Sequence, residues 1–168
     1  MGRFVIAMVG VVVMLASCGL LVPPIVVGVQ ADRKCVGYLK RAADANSPEL
    51  AIEELGVALG YMEGEGWTTG FTSIIYTTPD EDVGFWYKNI KQSQESLRKL
   101  PKEASDLEKS NALMKLRETL LDDGKYVTSP TGISRYPRNG LWAVIIIVGV
   151  LLLVAGAGMC VIAIVWDS

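Results

Sequence analysis

Two long uncharged apolar stretches near the ends of the chain, with a polar segment patterned for helices between them, predict an all-α membrane protein. The expected architecture is two transmembrane helices bracketing a small up-down-up-down four-helix bundle with one irregular loop. The strongest of these observations is the run from Leu141 to Val165, LWAVIIIVGVLLLVAGAGMCVIAIV, which carries no charge, amide or proline. At a rise of about 1.5 Å per residue, a helix over this run is roughly 37 Å long, more than the roughly 30 Å of hydrocarbon in a bilayer. Tilt, or an end reaching into the headgroups, is therefore expected. The second is a comparable run from Phe4 to Val29, preceded by the basic Arg3. The third is the recurrence of apolar residues every three or four positions in the middle of the chain. The predicted divisions are an N-terminal span over 1–29, a helical domain over 30–124, a juxtamembrane linker over 125–140 and a C-terminal span over 141–168.

Composition excludes several activities. The chain has 168 residues, 51% of them apolar, and a net charge of −2 without any basic stripe, so nucleic acid is not an expected partner. Histidine is absent, which removes the commonest general base and the commonest transition-metal ligand together. Cys18 and Cys160 lie inside apolar runs and Cys35 is alone in the polar part, so no disulfide is expected within the middle domain. Burial of Cys35 as a packing residue outweighs a reactive thiol. Three residues follow Val165, and no folded module is expected beyond the second span.

The first apolar run admits three readings. A cleavable signal peptide has an apolar core of about 7 to 15 residues before a small-residue site, whereas hydrophobicity here continues past any such site. Leu15-Ala16-Ser17-Cys18-Gly19 resembles a lipobox in which Cys18 would be acylated, although GLLVPPIVVGV is an unusually apolar sequence to follow such a cysteine. The third reading is an uncleaved transmembrane helix, with Phe4 to Val22 already long enough to cross. Pro23 and Pro24 would interrupt its hydrogen-bond ladder and predict a structural kink.

Charge sets the expected orientation. Arg33, Lys34, Lys40 and Arg41 follow the first span, and Lys125, Arg135 and Arg138 precede the second, while the outer tails carry Arg3 and Asp167. Both termini are therefore expected on one side, with the middle domain cytoplasmic rather than extracytoplasmic.

Within the middle domain, Cys35, Tyr38, Leu39, Ala42 and Ala43 continue the first helix to about Ala45. Ser47-Pro48-Glu49 is a start signal, with a capping serine and proline at the first helical position. Ile52, Leu55, Leu59 and Met62 form the apolar stripe of the next helix, which Gly64-Glu65-Gly66 ends. Trp67 to Thr77 reads as an extended loop or short strand. Thr78-Pro79-Asp80-Glu81 reads as a capping box opening a helix whose apolar face is Val83, Trp86, Tyr87, Ile90 and Leu97. Pro101 ends or kinks it, and the next helix is expected to begin there. Leu107, Met114 and Leu121 at heptad spacing, broadened by Leu113, Leu116 and Leu120, give its face, with closure at Asp123-Gly124. The irregular stretches from Gly64 to Thr77 and from Asp122 to Gly140 are expected near the bilayer, with Tyr126, Tyr136 and Trp142 forming an interfacial collar beside Arg135 and Arg138.

No catalytic, cofactor-binding or metal-ligating residue stands out, and no cofactor is expected. Asp80, Glu81 and Asp82, with Glu63 and Glu65, are better explained by the helix dipole than by a cation. Trp67, Phe71, Tyr76, Phe85, Trp86 and Tyr87 are too many aromatics for a narrow core. They are candidate partner contacts, in competition with core packing plus lipid contact. Gly149, Ala155, Gly156 and Cys160 are candidates for helix packing within the membrane. The expected function is non-catalytic: a two-span accessory, scaffold or assembly subunit of a larger membrane complex. Its expected partners are membrane lipid and other membrane subunits or copies of itself. The alternative is a ligand-sensing four-helix domain signalling through a separate partner, which resembles the sensory part of bacterial chemoreceptors in layout alone.

Overall fold

The structure, a computed structural model, describes residues 2–165; the tail residue Asp167, which enters the charge reading above, lies outside them. It is mostly helical, 76% of the described residues, and has five helices. They are α1 (Gly2–Ala43), α2 (Pro48–Glu65), α3 (Val83–Arg98), α4 (Asp106–Leu120) and α5 (Asn139–Val165). Two strands of two residues each, β1 (Leu121–Asp122) and β2 (Tyr126–Val127), pair antiparallel after α4. Helices α1 and α5 are both long and apolar enough to cross a membrane. The chain divides into two compact units, residues 1–28 with 138–168, and residues 29–137.

The first unit pairs the start of α1 with α5. Gly10, Ser17 and Pro24 are the buried positions along one helix, and Gly149, Gly156 and Ala163 along the other. Both series repeat every seven residues, the period at which a helical seam stays turned toward a partner. Small residues at those positions let the backbones approach: a Cβ on Gly156 would lie 2.8 Å from the Gly10 carbonyl oxygen and 3.1 Å from the Met14 nitrogen. Side chains such as Met14 and Leu21 pack beside the seam, and most of the other large side chains of the pair are exposed. The first helix runs through Pro23 and Pro24 as α-helix.

The second unit holds the end of α1 with α2, α3 and α4. Helix α2 lies against both α1 and α3, and α4 lies against α1, α2 and α3. Around Asp32–Val36 the first helix loosens into a π-turn, where the Gly37 amide donates to the Asp32 carbonyl. The turn places Cys35 in the core with no exposed surface. Ala42, Ala51 and Ala58, all fully buried, bring α1 and α2 close, and Leu39, Leu55 and Met62 fill the space around them.

The caps show where local sequence governs and where it does not. Ser47 accepts from the Leu50 amide at 3.3 Å with Pro48 at the first helical position, as expected. Gly66, at φ 76°, closes α2, and the Trp67 amide reaches back 2.7 Å to the Met62 carbonyl. The capping box expected at Thr78 does not form. Pro79–Glu81 is a separate 3-10 turn in which the Thr78 hydroxyl donates to the Glu81 carboxylate at 2.8 Å. The helix begins at Val83, capped by Asp82, whose Oδ1 accepts from the Phe85 amide at 2.9 Å. Two bonds to a distant loop explain the shift, Thr72 N–H to the Glu81 carbonyl and Val83 N–H to the Gly70 carbonyl. A second correction concerns α4, which starts at Asp106 rather than at Pro101. Ser105 and Glu108 form its capping box, with both reciprocal bonds present.

The apolar face of α4 also differs from the heptad reading. Leu116, Leu120 and Leu121 are buried, whereas Leu107 and Met114 are 71% and 56% exposed. Leu107 stands nine residues from Leu116, about 180° around the helix at 3.6 residues per turn, so one face cannot hold both. Finally, Asp123-Gly124 does not merely stop α4. With φ of 48° and 66° these residues form the tight turn that joins β1 to β2.

Candidate functional site

The segment 66–82 and the segment 125–137 meet at one end of the second unit. Trp67 is almost completely buried, stands edge-on to Tyr61 with ring centroids 5.4 Å apart, and donates through Nε1 to the Tyr136 carbonyl at 3.1 Å. The Tyr136 hydroxyl in turn donates to the Thr69 carbonyl. Gly70 beneath it has φ 90°, and a Cβ there would run into that hydroxyl, so position 70 requires glycine twice over. Trp86 is the second anchor: it is buried at the start of α3 and donates to the Thr128 carbonyl at 2.7 Å. Each indole thus satisfies its N–H on backbone while burying its ring.

These contacts separate the six aromatics singled out in the sequence. Trp67 and Trp86 belong to the core. Tyr87 is half-buried; its hydroxyl donates to Glu63 at 2.5 Å and accepts from Lys91 at 3.1 Å, tying α2 to α3. The bond to Tyr87 and the nearby Glu63 carboxylate hold the Lys91 ammonium above its usual range. Phe71, Tyr76 and Phe85 are exposed, and sequence reasoning missed the two residues that complete their surface, Ile74 and Ile75. Ile75 and Tyr76 are 80% and 72% exposed at the tip of the loop.

Within the first unit the structure brings Gly149, Gly156 and Cys160 to the helix seam, while Ala155 faces outward. Cys160 lies 3.9 Å from the Ala7 carbonyl. The residue missed there is Ser17, fully buried, whose hydroxyl donates to the Gly149 carbonyl at 2.7 Å. Its signal was available, seven residues after Gly10 in an apolar run.

Two polar features remain in the second unit. Arg41 on α1 pairs with the buried Glu54 on α2, and Gln94 on α3 donates to the Ile52 carbonyl at 2.9 Å. An open groove of about 610 Å³ runs between the end of α1, the start of α2 and α4, lined by Ser47, Pro48, Lys109, Met114 and Arg117 among others. No three potential metal-ligating side chains converge among the described residues. The chain matches no family model, no curated protein and no solved structure.

Proposed function

We propose that this is a non-catalytic, two-span integral membrane protein acting as an accessory, scaffold or assembly subunit of a larger membrane complex. The helical domain, read as an up-down-up-down bundle, lies on the cytoplasmic side in this reading, because seven basic residues flank the spans on the side of the middle segment. The exposed aromatics Phe71, Tyr76 and Phe85 and the outward small residues of the spans supply its contacts, with lipid, with other membrane subunits or with further copies of the chain.

One observation carries the reading. The pair formed by α1 and α5 uses a single small-residue seam for its own packing and leaves broad apolar faces outward, with Gly19 and Gly158 open on them. An outward glycine in a membrane helix leaves room for a further helix to approach closely. Mass measurement by light scattering in mild detergent tests this. The expected result is an assembly larger than one chain that Gly158→Leu weakens; a monomer at every concentration refutes it.

The ligand-sensing alternative is favoured by the groove beside Met114 and Arg117. It predicts a thermal shift with a specific small metabolite, since a ligand that binds only the folded state stabilises it by mass action. A scaffold gives no such response.

A further inference from the structure

The loop from Gly66 to Thr78, GWTTGFTSIIYTT, contains no charged side chain, in a chain of which 20% is charged. Its ends are held firmly. Trp67 and Thr69 bond to Tyr136, Thr72 bonds to Glu81 in the turn before α3 and Gly70 to Val83 at its start, and nearer the tip the Tyr76 amide closes on the Ser73 hydroxyl at 3.0 Å. Its tip is the opposite: Ile74, Ile75 and Tyr76 project into solvent, with Phe71 beside them and Phe85 in the first turn of α3. A soluble surface loop does not ordinarily fix its base so tightly to display two isoleucines and a tyrosine.

We infer that this loop is an interfacial anchor, its Ile74-Ile75-Tyr76 tip inserted among the headgroups and upper acyl chains of the bilayer that the chain itself spans. Three arguments favour lipid over a protein partner. The composition is that of a membrane interface, aliphatic and aromatic side chains set among threonines and one serine, with no charge to bury. The chain places the loop's attachment point close to the span in sequence: Tyr136, to which the loop base is bonded, lies five residues before the apolar run that starts at Leu141. The charges next to the loop in sequence are Asp80, Glu81 and Asp82, and Arg135 and Arg138 flank the Tyr136 to which its base is bonded, but the tip itself carries none, so insertion is apolar and proceeds on zwitterionic lipid.

The inference rests on the two-span reading, and the test separates the two. In the full-length chain carrying Cys18→Ala, Cys35→Ala and Cys160→Ala, nitroxide labels are attached through Ile75→Cys, Glu53→Cys or Leu151→Cys and the protein is placed in phosphatidylcholine nanodiscs. Glu53 is an exposed position on α2, and Leu151 faces outward on α5. Circular dichroism verifies helix content for each variant. Collision with oxygen, which concentrates in lipid, is compared with collision with a water-soluble nickel chelate. The expected oxygen-to-nickel ratio at position 75 is several-fold above that at 53 and approaches that at 151, and adding Ile74→Asp returns it toward the value at 53. A ratio at 75 equal to that at 53, or a label shielded from both reagents as in a protein contact, or no response to Ile74→Asp, overturns the anchor. A water-like ratio at 151 overturns the spanning reading instead.

Discussion

Replacing Gly156 with alanine should separate the two apolar helices, and the size of the effect follows from what the new methyl would meet. Its Cβ would sit 2.8 Å from the Gly10 carbonyl oxygen and 3.1 Å from the Met14 nitrogen, both backbone atoms that cannot swing aside. Restoring an ordinary contact near 3.4 Å moves the helices apart by about 0.6 Å, and a gap of that order forfeits roughly a quarter of the dispersion energy along a packed seam. Overpacking of this kind costs about 1 to 3 kcal/mol, about fivefold to 150-fold in the pairing equilibrium. A native thiol supplies the assay. Cys160 lies 3.9 Å from the Ala7 carbonyl, so Ala7→Cys should form an intramolecular disulfide with it, read as a reducible mobility shift. The glycines predict a graded series. Gly156→Ala and Gly10→Ala should lower the yield most, because each strikes backbone. Gly149→Ala should lower it less, because the obstacle is the movable end of Leu21, and Gly158→Ala should have no effect, because nothing lies within 4 Å. Equal disulfide yields for Gly156→Ala and Gly158→Ala would refute the seam.

Three further outcomes are expected. Ser17→Ala removes the hydroxyl that donates to the Gly149 carbonyl and should weaken the same pairing by about 0.6 kcal/mol, up to about 1.7, in mixed-micelle unfolding. Asp82→Ala should destabilise the second unit by about 1 kcal/mol in thermal unfolding while Thr78→Ala leaves it nearly unchanged, because Asp82 and not Thr78 caps α3. The backbone and hydroxyl of Ser105 hold the Glu108 carboxyl below its usual range. The stability this cap contributes is therefore fully present above the unfolded value of about 4.3 and is lost as pH falls through the lower folded one. Glu108→Gln should flatten that part of the acid limb in a pH series of unfolding midpoints.

Features set by neighbouring residues were the legible ones. The start of α2 at Ser47-Pro48 and its end at Gly66 follow from side chains and φ angles within a turn of the terminus. The start of α3 does not, because two plausible caps compete four residues apart. Bonds from Gly70 and Thr72 decide between them, and no local window contains both partners. The π-turn at Asp32–Val36 has a similar origin: it turns Cys35 into a core made of residues from other helices. The capping box at Ser105 was local and visible, but the start expected at Pro101 drew the helix across it. Asp123-Gly124 reads as the end of the helix and is the turn of a hairpin that follows it.

The exposed aromatics make the same point for the candidate site. Composition alone marks six aromatics as a surplus, yet an indole with a reachable backbone carbonyl is a core residue, and Trp67 and Trp86 each have one in the segment before α5. The true surface is therefore smaller and more aliphatic than the aromatic count suggests. The seam between α1 and α5 shows the converse. Gly149, Ala155, Gly156 and Cys160 look alike as a cluster of small residues, and only periodicity separates them. Gly10, Ser17 and Pro24 in one helix and Gly149, Gly156 and Ala163 in the other keep the same seven-residue step in opposite directions, as an antiparallel pair requires. A small residue on its own predicts little about packing. Two matching series predict a partner, and here that partner is in the same chain, leaving the outward glycines as the surface on which assembly must be tested.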